Sequence, residues 1–208
     1  IGKLNIIKSK GKLLNLSSLI KTKSPKGHVG IAHTRWATHG KPNERNSHPH
    51  LDFSGQIAVV QNGIIENHRD LSESLKLKGV KFTSETDTEI IPHLIGLEIE
   101  DSLANGLSPS GQTLLIAVQK VLTLLEGTYA LAVIWSMAPN SLVVVSEQAP
   151  LVLGFGEGEF FCASDTTALA EFTRTFLPLK DHEIALLSPL GIELYDDVGN
   201  RQHRSPSL

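Results

Sequence analysis

Cysteine occurs once in these 208 residues, at position 162. A lone thiol forms no internal disulfide and builds no multi-thiolate zinc site, which points to a reducing, cytoplasmic setting. Aromatic residues are scarce, at 5%. None of them interleaves with the lysines to stack bases, so nucleic-acid binding is not expected. Long apolar runs are missing too. The longest, residues 129–135, is strand-sized, far short of the ~20 residues of a membrane helix, so no membrane partner is expected. The chain opens Ile-Gly-Lys-Leu, with neither Met nor a signal-peptide core.

The remaining composition is that of a globular protein, with 40% hydrophobic and 20% charged residues and a net charge of −3. No repeat or linker divides it, so one domain over residues 1–208 is expected. The charge is uneven. Residues 1–50 hold ten Lys/Arg against one acid, Glu44, and the rest is acidic. A basic arm of this kind reads as solvated lysines on a strand, a helix and a loop.

Hydrophobic spacing predicts strands at residues 4–7 and 28–36, with a helix over 13–20 between them. Residues 37–55 show no periodicity, and a loop of that length is usually functional. Residues 57–60 form a buried strand running into Asn62-Gly63, followed by a helix over 66–77. Thr86-x-x-Glu89 matches a capping box opening a helix through about residue 100, with Pro92 expected to kink or loosen it. A further helix is expected over 114–125. Short strands follow at 129–135, 142–146, 151–154, 160–163, 176–179, 184–187 and 192–195, with a short helix at 166–172. The class is α+β, with packed sheets and outer helices.

Several motifs carry possible chemistry. Five of the nine histidines lie between residues 28 and 50. His48-Pro49-His50 invites a metal, but its spacing matches no helical H-E-x-x-H or finger pattern, and no metal or other cofactor is expected. Gly154-Phe155-Gly156-Glu157-Gly158 imitates a phosphate loop, yet Glu157 and Glu159 would repel phosphate, so a turn between strands is expected. Cys162 lies among apolar neighbours and reads as inert packing. Ser164 or Asp165 caps the short helix. What remains is dispersed: Arg35 and Trp36 ending a strand, Thr38 and His39 opening the loop, Asn62-Gly63, and Asp87 at a helix start. An Arg and an Asp in one cleft can clamp the carboxylate and ammonium of an amino acid. An Asn amide beside a glycine N–H is a natural oxyanion hole.

At His33-Thr-Arg-Trp-Ala-Thr-His-Gly40 the sequence resembles the glutaminase domain of the class II glutamine amidotransferases that form glucosamine 6-phosphate. The resemblance continues in order through Asn46-Ser-His-Pro-His50, Val60-Gln-Asn-Gly-Ile-Ile-Glu-Asn67, Ser84-Glu-Thr-Asp-Thr-Glu89, Leu125-Glu-Gly-Thr-Tyr-Ala130 and Ala163-Ser-Asp165. It implies an N-terminal-nucleophile hydrolase fold, two stacked antiparallel sheets between helices. It also implies hydrolysis of glutamine by an N-terminal cysteine that uses its own α-amine as base. The ammonia would pass to a sugar-phosphate isomerase domain acting on fructose 6-phosphate, in a homo-oligomeric full-length protein.

By the same resemblance, Arg35 holds the glutamine α-carboxylate, Asp87 its α-amine, and Asn62 and Gly63 form the oxyanion hole. Thr38, His39 and His48 line or support the pocket, and Trp36 lies near the ammonia exit. Two departures stand out. Gln61 sits where a histidine is common, and the family's opening Cys-Gly-Ile with its following strand does not occur in this sequence. The expectation is therefore an N-terminally truncated glutaminase domain, its opening strand missing, inactive alone, with the 28–36 strand exposed at an edge. A rival reading is an amino-acid-binding or regulatory module that kept the pocket and lost the nucleophile.

Overall fold

The computed structural model describes residues 2–35 and 41–207. Its centre is a seven-stranded antiparallel sheet. In chain order its strands are β1 (His50–Leu51), β2 (Ile57–Ile65), β3 (Gly127–Trp135), β4 (Leu142–Glu147), β8 (Glu183–Ser188), β9 (Gly191–Tyr195) and β10 (Arg201–Gln202), and they are neighbours in that same order. Between β4 and β8 the chain leaves to form a three-stranded sheet of β5 (Val152–Phe155), β6 (Phe160–Ala163) and β7 (Phe176–Pro178), with β5 central.

Alternation along the strands builds two cores from one large sheet. Val59, Leu131, Val133, Val143, Val145, Ile184 and Leu186 point to one face. There they meet α2 (His68–Leu77), α3 (Ile90–Ala104) and α4 (Gly111–Leu122), whose Leu75, Ile91, Ile95, Leu114 and Val118 are buried. The intervening residues Val60, Ala130, Ala132, Val144, Ala185 and Leu187 point the other way, toward Leu153 and Leu177 of the small sheet. The alanines on this face let the small sheet approach closely. The result is the α+β arrangement of two antiparallel sheets with helices, as expected.

The N-terminal arm differs from expectation. Residues 4–7 form no strand, and neither do the described residues of the 28–36 segment. Over residues 29–35 burial alternates, with Val29, Ile31, His33 and Arg35 half-buried and the intervening residues exposed. Val29 and Ile31 pack on the second core. The period-2 pattern therefore creates a face, while a ladder also requires a paired strand, and none joins this segment among the described residues. Helix α1 (Leu13–Lys23) forms, yet none of its residues is buried, and Leu13 and Leu14 are 63% and 74% exposed.

Smaller corrections have local causes. Thr86-x-x-Glu89 is no capping box. The helix starts at Ile90, and the Glu89 carboxylate reaches back to the Thr83 and Ser84 N–H groups at 2.7 and 2.5 Å instead. Pro92 falls in the first turn of α3, where its missing N–H is no loss. The predicted 166–172 helix shrinks to a 3₁₀ turn, Thr166–Ala168, capped by Asp165, whose carboxylate accepts from the Thr167 N–H at 2.7 Å. Gly154 lies in β5, and residues 156–159 turn the chain into β6, as expected for a loop between strands. β1 and β10, two residues each, carry no readable pattern.

Candidate functional site

β2 is longer than the sequence predicts, and this decides the geometry. Asn62 and Gly63 lie inside the strand, opposite Ala130 and Tyr129 of β3. On its other side, among the described residues, β2 is paired only through Ala58 and Val59, opposite which β1 begins and ends. Beyond that point side chains take over the edge. The Gln61 N–H donates to His48 Nδ1 at 3.2 Å, and the Ile65 N–H donates to Asp87 Oδ2 at 2.8 Å. Strand alternation directs the N–H of residue 63 to the same edge, midway between these two. Gly63 has φ +130°, and a Cβ there would lie 1.9 Å from the Thr128 carbonyl oxygen, so only glycine fits.

A chain of polar side chains runs from this edge into the protein. His33 Nε2 is 2.8 Å from Asn62 Oδ1. The His33 ring stacks on His48 at 4.2 Å, and His48 meets the edge of His50 at 4.9 Å. His50 Nε2 lies 3.1 Å from Thr86 Oγ1, which contacts Ser84 Oγ at 3.0 Å, and Ser84 donates to Glu89. The Glu89 side chain is buried yet accepts four hydrogen bonds from Thr83 and Ser84. Burial pushes its carboxyl upward, but these bonds and nearby His93 outweigh that and hold it far below the usual glutamate range. Asn46, fully buried, clamps the preceding loop. It accepts from the Glu85 N–H at 3.0 Å and donates to Lys41 O and Glu85 Oε2, each at 3.0 Å.

Burial also sets the charge of the histidines. Desolvation, reinforced by the neighbouring rings and by Arg35 and Lys8, lowers His48 to about 2. Desolvation and Lys8 lower His50 to about 4. Both rings stay neutral in the fold but take up protons near 6.5 when it opens, so acid favours the unfolded chain. Acidification from pH 7.5 to 5.5 is expected to cost roughly 2–3 kcal/mol from this pair, about 1.4 kcal/mol for each ring, most of it over the one unit below pH 6.5. Denaturant melts at the two pH values check this. A His48→Gln, His50→Gln double variant should lose most of the dependence over this range.

The sequence-predicted residues separate into three groups. His48 and Arg35 line a cavity of about 770 Å³ between the N-terminal arm and the large sheet, together with His33. Asn62 and Gly63 are exposed on β2 beside it, and Asp87, 8% exposed, is fastened to β2 through Ile65. Trp36, Thr38 and His39 lie outside the described residues. His33, His50, Thr86 and Asn46 were not among the predicted site residues. The concentration of histidines between residues 28 and 50, the non-periodic segment holding Asn46 and His50, and the place of Thr86 just before Asp87 were the available signal. Among the described residues no group of three His, Cys, Asp or Glu side chains is arranged to hold a metal. Burial raises the Cys162 thiol to about 11, leaving it protonated and unreactive at neutral pH.

Comparison with known proteins places this geometry in a family. Residues 33–171 match the glutamine amidotransferase domain, and the chain belongs to that family. Its fold is that of the N-terminal-nucleophile hydrolases. It resembles the B. subtilis glutamine phosphoribosylpyrophosphate amidotransferase complexed with ADP and GMP, with TM-score 0.64 and 24% identity, over 81% of this chain and 35% of that one. A second solved structure, the allosteric regulatory enzyme of purine biosynthesis, gives TM-score 0.65 and 24% identity over 79% and 34%. In sequence the chain is similar to glutamine–fructose-6-phosphate aminotransferases (isomerizing). The protein from a Nostoc species is 53% identical over 100% of this chain and 32% of its own length. That from Thermosynechococcus vestitus is 52% identical over 99% and 32%, and that from Aquifex aeolicus 46% over 95% and 32%. The chain thus spans about a third of the length of these relatives. No helix among the described residues is long and apolar enough to cross a membrane.

Proposed function

We propose that this chain is the glutaminase portion of a glutamine–fructose-6-phosphate aminotransferase acting in the cytoplasm. It binds glutamine, presents the side-chain amide to a cysteine nucleophile supplied from outside the 208 residues, and releases ammonia for a sugar-phosphate isomerase domain. The observation that carries this reading is the β2 edge. The Gly63 N–H faces the same side as the N–H groups of Gln61 and Ile65, which are already bound, and the Asn62 amide stands next to it. Two donors converge where negative charge develops when a thiolate attacks an amide carbonyl. Asp87 keeps Oδ1 for a ligand ammonium while Oδ2 anchors Ile65. Arg35, on the cavity wall, matches a carboxylate. Trp36, Thr38, His39 and His48 complete the proposed pocket.

Glutamate release from glutamine by the full-length protein, with glucosamine 6-phosphate formed when fructose 6-phosphate is added, is the test; no glutamate release overturns the proposal. Arg35→Lys in that protein should lower kcat/KM by ~10–150-fold, because a point charge replaces a two-pronged contact worth ~1.5–3 kcal/mol. Near-unchanged kinetics would make Arg35 structural.

A further inference from the structure

We propose that His33 is a positioning residue that sets which end of the Asn62 amide faces the reacting oxygen. The inference rests on the glutaminase reading above and deepens it. An asparagine amide presents an acceptor at one end and donors at the other, and rotation by half a turn exchanges them. Only the donor end can stabilise an oxyanion. Asn62 is exposed in β2, so strand packing does not choose between the two orientations. Among the described residues, the only polar side chain in contact with its Oδ1 is His33, through Nε2 at 2.8 Å.

Which way that bond runs follows from the other ring nitrogen. His33 Nδ1 is buried without a partner. A buried N–H with no acceptor loses a full hydrogen bond to water, so the single proton of a neutral ring belongs on Nε2, where it has one. Burial, opposed by the hydrogen bond to Asn62 and by the nearby main chain of Gln61, lowers the ring below the usual histidine range, which keeps it neutral. The Nε2–H then donates to Asn62 Oδ1 and turns the Nδ2 hydrogens outward, beside the Gly63 N–H.

The ring is itself held. It stacks on His48 at 4.2 Å, and His48 is fixed to the strand by accepting the Gln61 N–H at 3.2 Å. Residues 61 and 62 are therefore tied to the same pair of stacked rings, one through its main chain and one through its side chain. A ring at position 33 that fills the space without donating would leave Asn62 free to rotate, and its oxygen would face the developing charge part of the time.

The experiment compares glutaminase kinetics of the full-length protein with His33→Phe, His33→Gln, Asn62→Ala and the His33→Phe, Asn62→Ala double variant. His33→Phe is expected to lower kcat roughly 10–100-fold with KM little changed, because the lost interaction matters most in the transition state. His33→Gln, whose amide N–H can donate in the same place, should recover part of the loss. In the Asn62→Ala background, His33→Phe should cost less than about threefold, since there is no amide left to orient. A full additional loss in the double variant would show that His33 acts on something else and overturn the proposal while leaving the glutaminase reading intact. An unchanged kcat for Asn62→Ala would remove Asn62 from the oxyanion site and overturn this proposal, whereas no glutamate release by the unsubstituted protein would overturn the glutaminase reading itself. Long-range proton–nitrogen NMR of the unsubstituted protein is independent of whether the variants fold. A neutral His33 ring carrying its proton on Nε2 supports the proposal, and a proton on Nδ1 overturns it.

Discussion

Gly63→Ala is expected to destabilise the protein by about 2–6 kcal/mol, the sum of ~1–3 for a left-handed backbone without glycine and ~1–3 for overpacking. The overlap is with backbone. A Cβ would sit 1.9 Å from the Thr128 oxygen and 2.8 Å from Tyr129 Cα, so no side-chain rotation relieves it. β2 and β3 run in unbroken register from Ile57 opposite Trp135 to Ile65 opposite Gly127. Relief must come from parting the strands at the very place where Asn62 stands. Chemical denaturation measures the loss, and Gly55→Ala is the control. Gly55 also has positive φ, at +70°, but a Cβ there meets nothing within 4 Å. Equal losses for the two would refute the steric argument.

Asn62→Ala leaves the fold nearly untouched, because the side chain is exposed and, among the described residues, makes one hydrogen bond, to His33. In the full-length protein it should lower glutamine turnover by ~10²–10³-fold, the usual cost of one oxyanion donor. KM should move far less, since the donor is needed only as charge builds on oxygen. A tenfold rise in KM at unchanged kcat would instead make Asn62 a contact to bound glutamine.

The contrast between these two neighbours shows what was legible in the sequence. The strands from residue 129 onward, α2 and α4 follow from period-2 and helical spacing, because burial of alternate or every third to fourth residue leaves a direct trace. Asn62-Gly63 carried the oxyanion idea, but the true end of β2 was hidden. Gln61, Asn62 and Gly63 break the apolar run, yet the ladder with β3 continues through them. The polar seam from His33 to Glu89 was illegible for another reason. The links that join its separate segments are side chains 29 to 39 positions apart, and nothing local relates His33 to Asn62, His50 to Thr86 or Asn46 to Glu85. Thr86-x-x-Glu89 misled because a carboxylate that satisfies the turn before a helix has the same spacing as one that caps it.

The two cores also divide the site by how long its parts hold still. β3 lies between β2 and β4 and is covered on both faces, so its amides should exchange with solvent only when the whole domain opens. Asn62 and Gly63 are bonded to that strand and inherit its persistence. His33 belongs to the arm, where α1 buries no residue and residues 28–35 pair with no strand among the described residues. Amides there should exchange through local excursions of low free energy. One partner of the His33–Asn62 bond is thus anchored to a strand expected to exchange slowly and the other to an arm expected to exchange readily. The lifetime of the aligned amide is set by the arm alone, so a change that quiets the arm would prolong that alignment without touching the strand that carries it.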